Sequence, residues 1–249
     1  MCLIVIAHRV SARFPLVLAA NRDEDYDRAT RDAHWWDDAP GVLGGRDVVH
    51  GGSWLAITKQ ARLAAVTNLR GAVQRSRSRG ALVRDFVTSS DEPRAFAESL
   101  LSEADEYSGF HLLAGQAGGE IVHVTRDSWM PLASGIHAIS NAPLGEHWPK
   151  TSIAVAEMEA VLQLDDAESM LEALMKFLTT PRGTHRIESE VFIASERYGT
   201  RASTVILASE SEIVFAEQTF ERGGVAVSGR RVFRISREPP LTLTLSPRR

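Results

Sequence analysis

Two stretches near the N-terminus constrain this chain more than anything else in it. Cys2-Leu3-Ile4-Val5-Ile6-Ala7 and Leu16-Val17-Leu18-Ala19-Ala20 are apolar at every position. Successive side chains of a strand point to opposite faces, so a strand with one face in water alternates apolar and polar residues. A strand with no polar member must instead be covered on both faces. His8 to Pro15, polar and proline-containing, joins the two as an antiparallel hairpin with a loop of moderate length. The hairpin therefore belongs in the middle of a layered body. Pairing residues 3–7 with 16–20 sets Cys2 beside Asn21. It also brings Asn21-Arg22-Asp23-Glu24, the polar end of a buried strand, up to the only thiol in the chain.

The rest of the pattern supplies the layers. Further strands are expected at Trp54–Thr58, Leu63–Thr67, Phe110–Gly115, Ile121–Thr125, His137–Ser140, Val191–Ala194, Thr204–Ala208 and Ile213–Glu217. Ser78 and Asp91 are candidate N-caps of helices carrying Leu82, Val83, Phe86, Val87 and then Phe96, Leu100, Leu101, with Pro93 tolerated in a first turn. A third helix opens near Pro149. In a fourth, Asp165 and Glu168 resemble a capping box ahead of Leu171, Leu174, Met175 and Leu178 at i, i+3, i+4 and i+7. Strands, a helical pair, strands, a second helical pair and strands again suit an α+β body of antiparallel sheets covered by helices, not alternating βαβ units. A single domain over residues 1–235 is expected, with a proline-broken tail at 236–249.

Composition excludes several classes. A net charge of −4 lacks the basic surface that nucleic-acid binding needs. One cysteine excludes an internal disulfide and suits a reducing compartment. No apolar run approaches the ~20 residues of a membrane span, and no secretory signal is recognisable, so a cytoplasmic location is expected. The eight histidines include no i, i+4 helical pair, and no metal site is expected. Five glycines between Gly41 and Gly52 lack the lysine and spacing of a phosphate-binding loop and read as a structural turn. Arg70, Arg75, Arg77, Arg79 and Arg84 form a basic cluster that is either solvated or meets a phosphate or carboxylate of a ligand.

Ten short strings, in order, resemble the NRDE family, also called the transport-and-Golgi-organisation type-2 family. They are Met1-Cys2-Leu3-Ile4, Ala20-Asn21-Arg22-Asp23-Glu24, Gly44-Gly45-Arg46-Asp47, Gly51-Gly52-Ser53-Trp54-Leu55, Thr67-Asn68-Leu69-Arg70, Ser78-Arg79-Gly80, Gly109-Phe110, Ser140-Asn141, Trp148-Pro149-Lys150 and Tyr198-Gly199-Thr200-Arg201. The resemblance implies an N-terminal nucleophile (Ntn) hydrolase-like αββα sandwich, similar to the cysteine Ntn hydrolases that cleave conjugated bile salts and penicillin V. Carried over position by position, it implies catalytic roles for Cys2, Arg22, Asp23, Asn68, Asn141 and Arg201. Asn21, Glu24, Trp54 and Arg70, from the same strings, are assigned to ligand contact. His111 and Gly145-Glu146-His147 depart from the family pattern, and His111 or His147 would be the residues to ligate haem.

Such a set suits acyl transfer, which needs a nucleophile, a base and donors for the oxyanion. A cysteine at a free N-terminus supplies the first two, since an α-amine and a thiol exchange a proton near neutral pH. That requires removal of Met1, which a small second residue permits. Arg22 and Arg201 would favour thiolate, Asp23 would hold the ammonium, and Asn68 and Asn141 would donate to the oxyanion. Two activities remain open. One is hydrolysis of an amide or thioester of a small acylated substrate, with no cofactor required. The other, which the resemblance implies, is non-catalytic carriage of haem or of acyl-CoA or lipid on the same fold. Bland readings stand beside each residue: Cys2 as a small buried hydrophobe, Asn21 to Glu24 as a solvated turn, Asn68 and Asn141 as turn residues, and Arg201 as a surface arginine.

Overall fold

The computed structural model describes residues 2–143, 146–184, 186–227 and 229–237. The apolar hairpin is its centre. Strands β1 (Leu3–His8) and β2 (Leu16–Asp25) pair antiparallel, and β1 is buried along its whole length. The register differs by one residue from the expectation: Leu3 lies opposite Asn21 and His8 opposite Leu16. Continuing it places Cys2 level with Arg22, not Asn21. The loop sets this register, because the Arg9 N–H donates to the Pro15 carbonyl at 2.9 Å and Arg9 takes a left-handed φ of 52°. A shift of one residue exchanges the two faces of a strand, and it decides which polar residue of β2 accompanies the thiol.

On one side of the hairpin β1 pairs with β10 (Gly135–Ile139). On the other, β2 pairs with β11 (Tyr198–Ala208), which pairs with β12 (Glu212–Glu221). Two further strands, β13 (Val225–Ala226) and β14 (Arg231–Ser236), both pair with β12. The second sheet is a simple meander of β3 (Thr30–Trp35), β4 (Val42–Asp47), β5 (Leu55–Thr58), β6 (Arg62–Asn68), β7 (Phe110–Gln116), β8 (Ile121–Thr125) and β9 (Trp129–Pro131). Among the described residues each sheet has seven strands.

Helices α1 (Gly80–Thr88) and α2 (Pro93–Glu103) cover the second sheet, where Leu82, Val83 and Phe86 pack on Ala64, Leu112 and Val124. Helices α3 (Pro149–Val161) and α4 (Ala167–Thr179) cover the first, where Met158, Leu171, Leu174 and Leu178 pack on Leu3, Val5, Val17 and Val205. Ile4, Ile6, Leu16 and Leu18 fill the space between the sheets with Leu43, Leu55, Leu63 and Phe215. The even and odd residues of one hairpin thus feed two separate cores. This is the expected four-layer α-β-β-α order.

Several local expectations need correction. Val191–Ala194 is not a strand. The Val191 carbonyl accepts from the Asn21 side chain, and Ile193 exchanges bonds with Thr200, so its backbone is satisfied without a ladder. Helix α4 is capped by Asp166, not Asp165: its carboxylate accepts from Ser169 N at 2.8 Å. The helices expected behind Ser78 and Asp91 exist, but Arg79 and Glu92 hold their N-cap positions with no side-chain cap. Of the glycines from Gly41 to Gly52, Gly44 and Gly45 lie in strand β4, where they admit neighbours: a Cβ on Gly44 would lie 2.6 Å from the Leu55 carbonyl oxygen. Gly41 and Gly51, with left-handed φ of 94° and 67°, turn the chain on either side of it as expected. β3 and β4 read poorly as strands because their residues are polar or glycine. Of the tail expected from residue 236, Ser236 closes β14, and residues 238–249 lie outside the described residues.

Candidate active site

Cys2 sits at the mouth of β1, its side chain 9% exposed, and lines a cavity of about 280 Å³ between the two sheets. Arg22, Asp23, Glu24, Trp54 and Asn68 line the same cavity. The Cys2 thiol lies 4.0 Å from the Asp23 carbonyl oxygen, to which it donates.

β2 continues past the hairpin and delivers its polar end here. Arg22 is 6% exposed; its guanidinium stacks 4.4 Å from the centre of the Trp54 ring, donates to Thr30 Oγ1 at 3.1 Å and pairs with Glu24 at 3.6 Å. Trp54 reaches this position because Gly45 lies behind it: a Cβ there would come within 2.0 Å of the ring. Asp23 accepts from Thr200 Oγ1 at 2.7 Å. Arg28 closes one wall by bridging Asp47 at 2.6 Å and Glu24 at 3.7 Å. The wall opposite comes from Ser76-Arg77-Ser78-Arg79-Gly80. It is fixed where the Ser53 N–H donates to the Gly80 carbonyl at 3.0 Å, with Gly52 against Gly80 so closely that a Cβ on Gly52 would lie 2.3 Å from the Gly80 carbonyl carbon.

Other expected site residues fall elsewhere. Asn21 faces the helix layer: its amide donates to Leu178 O and Val191 O at 2.8 Å each, and its carbonyl accepts from Ser203 Oγ. It is a strap between sheet and helix, and it is not among the residues that line the cavity. Arg201, at a β-bulge between Thr200 and Ala202, donates to the Tyr26 carbonyl at 2.5 Å and to the Asp25 carbonyl at 3.4 Å. Those carbonyls hold it over the turn after β2, outside the cavity lining. Asn141 is buried one step back, donating to the Asn68 carbonyl at 2.6 Å, so it positions the end of β6. Arg70 is exposed and pairs with Glu188 at 2.6 Å.

Electrostatics also differ from the expectation that Arg22 and Arg201 favour a thiolate. Burial pushes the Cys2 thiol up, the Asp23 carboxylate adds to this, and Arg22 works the other way without prevailing. Behind Met1 the sulfur is a thiol.

Lys150, wholly buried in the first turn of α3, was not singled out by sequence. Burial pulls its ammonium down, while the charges of Asp23 and Cys2 oppose that. Arg28 and Asp47 were missed too. The available signal was membership of the strings themselves, since Lys150 follows Trp148-Pro149 and Asp47 follows Gly44-Gly45-Arg46.

A second cavity, of about 340 Å³, is lined by His111, His123, His137 and His147. His111 has both ring nitrogens engaged, one 2.9 Å from the Ala142 carbonyl oxygen and the other 3.1 Å from His123 Nε2. That leaves its ring no free nitrogen for a haem iron.

An antiparallel αββα sandwich with a cysteine at the head of a central strand defines the Ntn-hydrolase fold. Solved structures agree: the chain superposes on penicillin V acylase from Agrobacterium tumefaciens with a TM-score of 0.56 at 12% identity, covering 94% of this chain and 86% of that one. On a mutant conjugated bile acid hydrolase from Clostridium perfringens the TM-score is 0.54 at 9% identity, covering 95% and 92%. Within that fold, the Transport and Golgi organisation 2 family model matches residues 1–222, and the chain belongs to that family. The Transport and Golgi organization protein 2 homolog of Bos taurus is 32% identical over 241 residues, covering 83% of this chain and 87% of the relative. The Homo sapiens homolog is 29% identical over 239 residues, with the same coverage.

Proposed function

We propose that this chain hydrolyses an amide or thioester of a small acylated substrate through Cys2, once Met1 has been removed. The observation that carries the reading is the convergence of Cys2, Arg22, Asp23 and Asn68 on one cavity at the end of β1 and β2. A free α-amine on Cys2 takes the thiol proton as the Sγ–acyl bond forms, so a raised thiol pKa is no obstacle: the base is in the same residue. The Asp23 carboxylate, the negative charge beside Cys2, holds the resulting ammonium. The Asn68 amide, kept in place by Asn141, donates to the oxyanion. Collapse breaks the substrate's C–N or C–S bond, and the leaving group departs with the proton. Water then cleaves the acyl–Sγ bond and restores the thiol.

Intact mass and N-terminal sequencing, paired with rate-resolved alkylation of Cys2, test this. The expected result is a chain beginning at Cys2 whose thiol alkylates faster than free cysteine. Retained Met1 with an inert thiol refutes it. The carrier alternative, haem or acyl-CoA carriage, predicts tight binding of either ligand that survives Cys2→Ala without turnover; absence of binding removes it.

A further inference from the structure

The cavity at Cys2 is lined by five arginines, and they are not equally matched by acids. Arg28 has Asp47 and Glu24; Arg22 has Glu24; Arg77 has Glu103 at 2.6 Å and Glu106 at 3.0 Å. Arg79 has no such partner among the described residues. Its contact is a long hydrogen bond, 3.5 Å, from Nη1 to the Gly109 carbonyl oxygen. It is half-buried, and Glu24 and the Cys2 sulfur lie within its electrostatic reach. Arg75, on the same wall but exposed, has no ion pair among the described residues either; its backbone N–H donates to Ser108 Oγ at 2.9 Å. A half-buried guanidinium such as that of Arg79, with no acid in ion-pair contact, is incompletely compensated, and its planar fork matches the two oxygens of a carboxylate or phosphate. The close approach of Gly52 to Gly80 holds Arg79 at the wall, so its position is built rather than incidental.

We propose that Arg79, assisted by Arg75, is an anion receptor that reads a carboxylate or phosphate on the substrate, so that the acyl compound presented to Cys2 is anionic. The substrate half of this rests on Cys2 being the nucleophile; the anion site stands by itself.

The test compares alkylation of Cys2 by anionic iodoacetate and neutral iodoacetamide in the purified full chain. The iodoacetate-to-iodoacetamide rate ratio should exceed that of free cysteine by roughly tenfold. It should fall several-fold in Arg79→Gln and, in the same direction, in Arg75→Gln, which serves if the first variant does not fold. Arg84→Gln, paired with Asp85 outside the cavity, should keep the wild-type ratio. An identical ratio in wild type, Arg79→Gln and Arg75→Gln overturns the proposal. A thiol inert to both reagents sinks the nucleophile reading but not this one, and titration with inorganic phosphate and with acetate, followed by thermal shift, then decides. Stabilisation of wild type that is lost in Arg79→Gln or Arg75→Gln supports the receptor, and the anion that produces it names the group. No stabilisation, or stabilisation insensitive to both variants, overturns it.

Discussion

Glu217 offers the sharpest test of how the two sheets are joined. It lies on β12 facing the space between the sheets, 2% exposed, and its carboxyl accepts from the Ala33 N–H at 2.6 Å and from Thr204 Oγ1 at 3.3 Å. Ala33 needs that acceptor because the β3–β4 pairing shifts register between Arg31 and His34 and leaves it out of the ladder. Burial pushes the Glu217 carboxyl up from 4.5 to about 7; the Asp32 charge adds to this, while the two hydrogen bonds and Arg22 oppose it. The unfolded chain therefore releases this proton near pH 4.5, whereas the folded chain keeps it to about pH 7. Between those values the unfolded state binds fewer protons, so this group makes stability fall as pH rises, and the loss is complete above pH 7. At 1.36 kcal/mol per pH unit the loss is about 3 kcal/mol. Glu217→Gln keeps an acceptor for Ala33 and can donate to Thr204, but never ionises. Urea denaturation of both proteins from pH 5 to pH 8 should show the variant gaining on the wild type, from a fraction of a kcal/mol to about 3 kcal/mol. A difference independent of pH would refute the argument.

Other consequences are open to measurement. Burial pulls His123 down to about 4, with the His111 and His137 charges adding to it; the unfolded chain protonates first as pH falls, so His123→Gln should remove up to about 3 kcal/mol of the acid destabilisation between pH 6.5 and 4. A pH-independent His123→Gln effect on urea midpoints would contradict this. Gly45→Ala should displace the Trp54 ring and destabilise by about 1–3 kcal/mol, seen as a lower melting temperature and altered tryptophan fluorescence; an unchanged spectrum would count against the stack. Given a substrate, Asn68→Ala should lower kcat by roughly 10²–10³, and Asn141→Ala should lower it less, since Asn141 reaches the site through the Asn68 carbonyl. Equal losses would place both side chains at the oxyanion.

Much of this protein was legible from residue order. Unbroken apolar strands demand cover on both faces, and that requirement alone calls for four layers around the hairpin. Helices with apolar residues at i, i+3, i+4 and i+7 had to lie on the sheets, as Leu171, Leu174, Met175 and Leu178 do. These are properties of local periodicity, which a chain carries wherever it is placed. The strings flanking Cys2, Arg22, Asp23 and Asn68 likewise pointed to one place, and the fold brings those side chains to one cavity.

What tertiary structure alone decided is which polar residues face it. The hairpin register, closed between Arg9 and Pro15, moved the thiol from Asn21 to Arg22, and side-chain alternation then turned Asn21 into a strap under α4. Arg201 was drawn off by carbonyls of the turn after β2, and Lys150 was buried where a first-turn lysine would ordinarily be solvated. None of these outcomes follows from spacing. Each depends on a competing partner distant in sequence, and only the packed chain determines which partner is in reach. The hairpin and its cysteine belong to the sequence; the company the cysteine keeps belongs to the fold.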